Sequence, residues 1–129
     1  MLAVAVLALS VGCGAAEHEE SEHEHVVQPP EGLTQVAWGE RLYQSHGCFA
    51  CHPINGAGGA GGHLDRLWGT QRPLHDGTTA IFDEAYVRES ILHPSEHIVR
   101  GMPNQMPPYH GLISETELDA LVAFLSSLR

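Results

Sequence analysis

Cys48, Cys51 and His52 stand together in the segment C-F-A-C-H. Two thiols separated by one helical turn can reach the two vinyl groups of one porphyrin, and the histidine that follows them can bind the iron from below. C-x-x-C-H is the pattern typical of covalent haem c attachment. The sequence therefore predicts one haem c, joined by thioether bonds to Cys48 and Cys51, with His52 as the proximal iron ligand.

The same pair of cysteines has three other possible uses. A thioredoxin-like redox pair would lie in a βαβ pattern, which the surrounding sequence does not show. A zinc site would need a second matched pair of ligands, and no further cysteine lies nearby. A structural disulfide is the third alternative. Haem attachment is favoured, because the chain begins like an exported protein and haem c is attached outside the cytoplasm.

The sixth position of the iron has two candidate methionines. A thioether stays bound to iron in both oxidation states and raises the reduction potential, which suits an electron carrier. Met102 and Met106 lie in the proline-rich segment G-M-P-N-Q-M-P-P-Y-H-G. Either methionine could instead fill a gap in the core. Three histidines would give bis-histidine ligation instead: His63, His93 and His110.

A helix before the C-x-x-C-H segment is predicted over residues 35–46, with Thr34 as its N-cap. After the cysteines, residues 48–62 are expected to form a turn and a glycine-rich loop, followed by a short helical turn at residues 64–68. Apolar and small residues recur at helical spacing on one face of the first helix: Val36, Gly39, Leu42 and Tyr43.

A second helix is predicted from Asp83, its N-cap, to about residue 93, where Pro94 ends it. Asp76 and Gly77 mark a turn before it. The buried stripe of this helix is expected to contain four residues: Tyr86, Val87, Ser90 and Ile91.

A third helix is predicted to begin at a capping box made by Ser114 and Glu117 and to end near residue 127. Residues 101–111 before it are expected to be loop. The fold class is therefore predicted as all-α, with three main helices and little strand. The buried side of the third helix is expected to carry four residues: Leu118, Leu121, Val122 and Leu125.

Composition limits the fold and the partners. A chain of 129 residues with 14 glycines and 8 prolines but only 6% aromatic residues favours one small, loop-rich domain. A cofactor is then expected to supply part of the core. Sixteen acidic residues face 6 basic ones, none of them lysine, which excludes nucleic acid as a partner.

The first 33 residues predict export and tethering rather than folding. Residues 1–12 are an apolar run, too short to span a bilayer, that is typical of a signal peptide. Cys13 follows it and is predicted to be lipidated, although an ordinary cleaved signal with an incidental cysteine is the alternative. Residues 13–33 are an acidic linker, too polar to fold alone, and residues 34–129 are the folded domain. Three linker histidines could bind a metal ion weakly: His18, His23 and His25.

From residue 35 to residue 129 the sequence resembles the class I monohaem cytochromes c. The features that carry the resemblance are C-x-x-C-H after a helix, Gly39 and Tyr43 on that helix, and L-V-A-F at residues 121–124. The segments L-W-G, D-E-A-Y-V-R-E-S-I-L-H-P and I-V-R-G-M-P-N-Q-M-P-P-Y resemble those of the cytochrome c domain fused to subunit II of bacterial caa3-type haem–copper oxidases.

The resemblance implies a class I cytochrome c fold around one covalently bound haem, with long Gly/Pro-rich loops. The methionine of M-P-P-Y is the iron ligand in such domains, which implies Met106 for this role. Trp68 is implied to line the haem pocket and Arg72 to pair with a haem propionate. Pro53 and Leu64 are expected to pack on the porphyrin.

These expectations describe an electron-transfer protein rather than an enzyme. It is expected at the periplasmic face of a bacterial membrane, held by a lipid on Cys13, passing single electrons between partner proteins of a respiratory chain, for example to a terminal oxidase. One alternative is a fixed haem subunit of an oxidase or of alternative complex III. A haem peroxidase or a gas sensor would instead need an open sixth site.

Overall fold

Three helices and a short hairpin make up the regular structure of the described residues. The structure is a computed structural model and describes residues 28–54, 56 and 58–128, so Cys13, the predicted signal peptide and most of the predicted linker lie outside it. The three helices fit the class I cytochrome c fold, and the hairpin adds a small antiparallel sheet to the predicted all-α architecture. The elements are α1 (Gln35–Ser45), a 3₁₀ turn (Cys48–Ala50), β1 (Gln71–Pro73), β2 (Thr79–Ile81), α2 (Glu84–Leu92) and α3 (Glu115–Ser127). Within the described ranges, none of these helices combines the length and the apolar character needed to cross a bilayer.

All three predicted helix starts are confirmed. Thr34 and Asp83 each accept a hydrogen bond from the backbone N–H three residues further along. Ser114 and Glu117 form the full capping box, in which each side chain accepts a hydrogen bond from the other residue's backbone N–H. Such caps satisfy N–H groups that the first turn leaves without helical partners.

Helices α1 and α3 cross in close contact at Gly39. A Cβ atom at this position would overlap the backbone carbonyl of Ala120 and would lie 2.7 Å from Cβ of Phe124. Next to the crossing, the rings of Tyr43 and Phe124 pack with centroids 5.4 Å apart. Only glycine permits this approach, because any side chain would separate the two helices.

Two local predictions are wrong. Val36 is 40% exposed, and the buried face of α1 instead begins at Trp38 and continues through Leu42. Trp38 and Leu42 are four residues apart, so they stack on one face of α1, and Val36 in the first turn is not part of that buried face. Residues 64–68 form turns and no helix, because Arg66 adopts a left-handed conformation (φ 60°) that interrupts helical hydrogen bonding.

The hairpin attaches a distant loop to the middle of the chain. Strands β1 and β2 are antiparallel, with Arg72 opposite Ala80. Beyond β1, the N–H of His75 donates to the carbonyl of Ile98 (2.8 Å), and the N–H of Arg100 donates to the carbonyl of Pro73 (2.9 Å). The segment at residues 97–100 therefore lies beside β1, a pairing that the sequence did not predict.

Ion pairs around Arg88 join α2 to α3. Its guanidinium contacts Glu84 at 3.0 Å within α2, and it contacts Glu115 (3.2 Å) and Asp119 on α3. The carboxylates are exposed, so each pair contributes about 0–1 kcal/mol. The sequence does not predict this cluster, because Glu115 and Asp119 on α3 meet Arg88 only in the fold.

Candidate functional site

A cleft between the helices and the loops contains most of the residues selected from the sequence. Its empty volume is about 1120 Å³, including the part open to solvent, and its walls are largely apolar. This is the size and character of a pocket for a large organic ligand. The residues selected from the sequence that line it include Cys48, Cys51, His52, His63, Leu64, Arg72, Met102 and Met106.

His52 is held in the tautomer and orientation that a metal ligand needs. Its Nδ1 lies 3.1 Å from the carbonyl oxygen of Gly62. A carbonyl oxygen only accepts, so Nδ1 carries the hydrogen and donates it, which leaves the lone pair of Nε2 free for a metal. Burial lowers the pKa of the half-buried imidazole, although hydrogen bonds that the ring donates to the backbone at Gly62 and Gly61 act in the opposite direction. The neutral ring is the form that binds iron.

Glycines and one tyrosine fix the position of His52. A Cβ atom on Gly61 would overlap the imidazole and would lie 2.7 Å from both ring nitrogens. The N–H of Gly61 also donates to the carbonyl of Cys51 (2.9 Å), so this glycine holds the loop directly against the histidine. On the other side, the hydroxyl of Tyr43 donates to the carbonyl of His52. Burial, with a smaller contribution from Cys48, raises the pKa of Tyr43 to about 12, which keeps this donor protonated.

The two cysteines lie at one edge of the cleft, one turn of chain apart. Cys48 is half-buried and Cys51 is exposed, and both are free thiols in the described structure. The 3₁₀ turn places them on one side, with the N–H of Cys51 donating to the carbonyl of Cys48 (3.2 Å). Burial raises the pKa of Cys48. A redox-active thiol needs a lowered pKa, so this environment does not favour a thioredoxin-like pair.

A proline-rich loop also lines the cleft and carries both methionines. Met102 and Met106 are half-buried and line the cleft, and Met106 also packs against the hydrophobic core. Tyr109 anchors the loop: its N–H donates to the carbonyl of Ile91 (3.1 Å), and its hydroxyl donates to the carbonyl of His46 (3.2 Å). Met106 therefore lies three residues before Tyr109, which is held in place by these two hydrogen bonds.

Met102 lies close to the loop that holds His52. Its terminal methyl group would be 3.5 Å from a Cβ atom on Gly62, the residue whose carbonyl accepts from His52. A sixth ligand has to approach the iron from the face opposite the proximal histidine. The loop of Met106 is tied through Tyr109 to His46 and Ile91, and Met106 as the sixth ligand stays a prediction.

The remaining candidates are divided between the cleft and the surface. His63 lines the cleft, whereas His93 and His110 are exposed, with their ring centroids 5.2 Å apart, and are not part of its lining. Trp68 packs against Phe82, at a centroid distance of 6.2 Å, rather than lining the cleft. Pro53 is also outside the lining of the cleft, so contacts of Trp68 and Pro53 with a cofactor stay predictions.

The donor set fits a haem. The cleft combines apolar walls for a porphyrin ring, an imidazole nitrogen and thioether sulfurs for the iron, and two thiols at one edge for the vinyl groups. Arg72 adds a guanidinium whose Nε is buried and has no hydrogen-bond partner among the described residues. A haem carboxylate would satisfy this group. Within the described ranges, the cleft included, no group of three or more His, Cys, Asp or Glu side chains is arranged to hold a metal ion.

Sequence reasoning missed two kinds of residue. Tyr109 was predicted only as part of the M-P-P-Y segment, and its role in fixing the loop was missed. An aromatic residue that follows a proline-rich segment is a signal that could have indicated this role. Ser90 and His97 also line the cleft, and each has a buried side-chain atom without a partner among the described residues. No local pattern indicates His97, because the pairing of its segment with β1 joins distant parts of the chain.

Comparisons with known proteins agree with this geometry. A family model described as "Cytochrome C oxidase, cbb3-type, subunit III" matches residues 34–125. The chain is also 30% identical over 104 residues to a protein named "Cytochrome c oxidase subunit 2" from Alkalihalophilus pseudofirmus. The matched region covers 81% of this chain but 28% of that protein, so the chain spans little more than a quarter of the relative's length.

Proposed function

The chain belongs to the family of cytochrome c domains described as cbb3-type cytochrome c oxidase subunit III, and from this premise we propose that it carries single electrons on one covalently bound haem c. It is a cytochrome c related to those associated with oxidases. The observation that carries the proposal is the hydrogen bond from Nδ1 of His52 to Gly62, which leaves Nε2 free for iron beside the two cysteines.

Each residue of the site has a separate task. The thiols of Cys48 and Cys51 would hold the haem covalently, and His52 would bind its iron. Met106 would be the second protein ligand and would exclude water and other ligands. The bound haem supplies a one-electron couple, and the apolar walls, together with the ligand sulfur, set its potential. The chain needs no acid–base residue for this task, because no bond of a substrate is made or broken.

The proposed location is the outer face of a bacterial membrane. Export through residues 1–12 and a lipid on Cys13 would hold the domain there, and the linker at residues 13–33 would raise its concentration near membrane partners. Mass spectrometry of the mature N-terminus tests this part separately. A lipidated Cys13 at the N-terminus is expected, whereas an unmodified chain that begins beyond Cys13 would contradict the anchor.

The proposed acceptor is a terminal oxidase, because the matching family and the relative both carry the names of oxidase subunits. The same names favour a second possibility, in which the chain is a fixed subunit of a respiratory complex. Purification in mild detergent separates the two: a fixed subunit is recovered with the complex, whereas a shuttling carrier is recovered alone.

A redox titration tests electron carriage directly. The protein is produced together with a cytochrome maturation system, and its visible spectrum is recorded against the applied potential. We expect one reversible transition in which the oxidised-to-reduced ratio changes tenfold per about 59 mV, the value for one electron. Rapid binding of carbon monoxide by the reduced protein at neutral pH would contradict the carrier function, because it requires an open sixth site.

A further inference from the structure

Two histidines outside the cleft lie side by side on the surface. The ring centroids of His93 and His110 are 5.2 Å apart, and the angle between the ring planes is 33°. Both residues are exposed, and neither lines the cleft. Among the residues that the structure describes, no hydrogen bond or ion pair engages either imidazole ring. Both rings are therefore open to a ligand from solvent.

The fold brings this pair together from two segments of the chain. His93 is the C-cap of α2, and its N–H donates to the carbonyl of Glu89 (2.7 Å). His110 follows the loop that carries the two methionines. The residue before it, Tyr109, donates its N–H to the carbonyl of Ile91 in the last turn of α2 (3.1 Å). The backbone beside each histidine is thus fixed by hydrogen bonds, so the pair is part of the fold.

The separation of the two rings fits two ligands of one metal ion. Zn²⁺ lies about 2.0–2.1 Å from the nitrogen of an imidazole ligand. Two such rings at a tetrahedral angle then have their centroids about 5 Å apart, and the rings of His93 and His110 are separated by 5.2 Å. Each neutral imidazole offers one nitrogen lone pair. Because both side chains are exposed, each ring can rotate to direct that nitrogen at a shared ion.

The surroundings of the pair favour a cation. Backbone carbonyl groups give the C-terminus of a helix a partial negative charge, and His93 lies at this end of α2. The last turn of α2 contains no basic residue that would compensate this charge. The whole chain also has a formal net charge of −10. Electrostatic attraction therefore adds to the bonds that the two imidazoles can make.

We propose that His93 and His110 form a surface site for one divalent transition-metal ion, Zn²⁺ or Cu²⁺, separate from the haem cleft. Imidazole is a suitable ligand for both ions. No third His, Cys, Asp or Glu side chain within the described ranges completes a metal-binding group, so water fills the remaining positions. The bound ion joins the end of α2 to the end of the methionine loop and thereby stabilises the folded domain. The site uses none of the residues proposed to hold the haem.

Thermal unfolding of the haem-loaded protein, with and without Zn²⁺, tests the site. An ion that binds the folded chain and not the unfolded chain raises Tm as its concentration increases. A saturating excess of Zn²⁺ should raise Tm of the natural protein by several degrees. His110→Ala and His93→Ala should each lose most of this rise, because a single imidazole binds the ion much more weakly than a pair. The absence of any rise in the natural protein would overturn the proposal.

Two controls separate this site from the other histidines of the chain. His75→Ala removes a different exposed histidine and should keep the rise in Tm. A variant with alanine at all three linker histidines should keep it as well: His18, His23 and His25. A rise that is lost only in the linker variant would assign the ion to the linker and overturn the proposal. An equal rise in the natural protein and in His110→Ala would also overturn it.

Electron paramagnetic resonance of bound Cu²⁺ identifies the ligands directly. One equivalent of Cu²⁺ is added to the haem-loaded linker variant, in which the three linker histidines are absent. The copper signal should show coupling to two imidazole nitrogens, and the further change His110→Ala should remove one of them. The visible spectrum of the haem reports that each variant is folded, and His93→Ala takes the place of His110→Ala if the latter does not retain haem. A copper signal that neither substitution changes would contradict the site and indicate an adventitious ion only.

Discussion

Met102 and Met106 line the same cleft, and replacing each with alanine separates their roles. In Met106→Ala we expect the charge-transfer band between methionine sulfur and oxidised iron, at the red end of the visible spectrum, to disappear. Met102→Ala is the matched control and should keep the band, because this residue lies beside the loop of His52. Loss of the band only in Met102→Ala would show that Met102 is the ligand.

Gly61 is predicted to be essential for the position of His52. In Gly61→Ala the added Cβ would overlap the imidazole, so the ring or its loop has to move. Disturbing the contacts that orient a metal-binding histidine typically lowers the affinity of the site for its metal about tenfold or more. The visible spectrum should therefore show a large high-spin fraction.

Gly58→Ala is the control for this substitution. A Cβ at Gly58 meets no atom within 4 Å, and its backbone is not left-handed. This variant should have the spectrum of the natural protein. If both alanine variants behave alike, the close packing of Gly61 against His52 does not determine ligation.

At the scale of single residues, the sequence predicted the candidate ligands of the site, but it did not predict the contacts that hold them in place. C-x-x-C-H predicts the proximal ligand, because two thiols and an imidazole act locally along the chain. The acceptor for His52 Nδ1 and the anchors of Tyr109 are backbone carbonyls, which any sequence provides. Their positions depend on loop conformation, so they could not be predicted from residue types.

Helices α1 and α3 depend on Gly39 for their crossing, and this contact is predicted to control stability. In Gly39→Ala the new methyl group would overlap the backbone of Ala120. Overpacking of this kind typically costs about 1–3 kcal/mol in the free energy of unfolding. For a domain of this size each kcal/mol lowers Tm by about 4–8 °C, which thermal unfolding followed by circular dichroism would detect.

The control on the same helix is Glu40→Ala. Glu40 is exposed, and surface substitutions usually change stability by no more than about 0.5 kcal/mol. A Tm for Gly39→Ala that equals that of Glu40→Ala would contradict the tight crossing.

The helices were predictable because their caps and apolar spacing are local signals, and Thr34, Asp83 and Ser114 start them as expected. The hairpin was missed except for its turn at Asp76. Strands of three residues contain too little periodicity to be recognised, and their pairing with residues 97–100 joins segments that are distant in the sequence.

The molecule as a whole is predicted to need its cofactor in order to fold. The core is formed largely by the three helices, while several apolar side chains, such as Leu64 and Met106, remain only half-buried around the cleft. A small domain with so few aromatic residues gains its missing buried surface from a porphyrin. The double variant Cys48→Ala, Cys51→Ala, produced without attached haem, should therefore be largely unfolded by circular dichroism. A cooperative thermal transition in this haem-free protein would contradict the prediction.

Intact mass and thiol alkylation, measured together after production with a cytochrome maturation system, test the central claim most directly. The account predicts a coloured protein whose mass exceeds that of the mature chain by one haem, with neither Cys48 nor Cys51 open to alkylation. A colourless protein of unmodified mass, in which both thiols react, would contradict it.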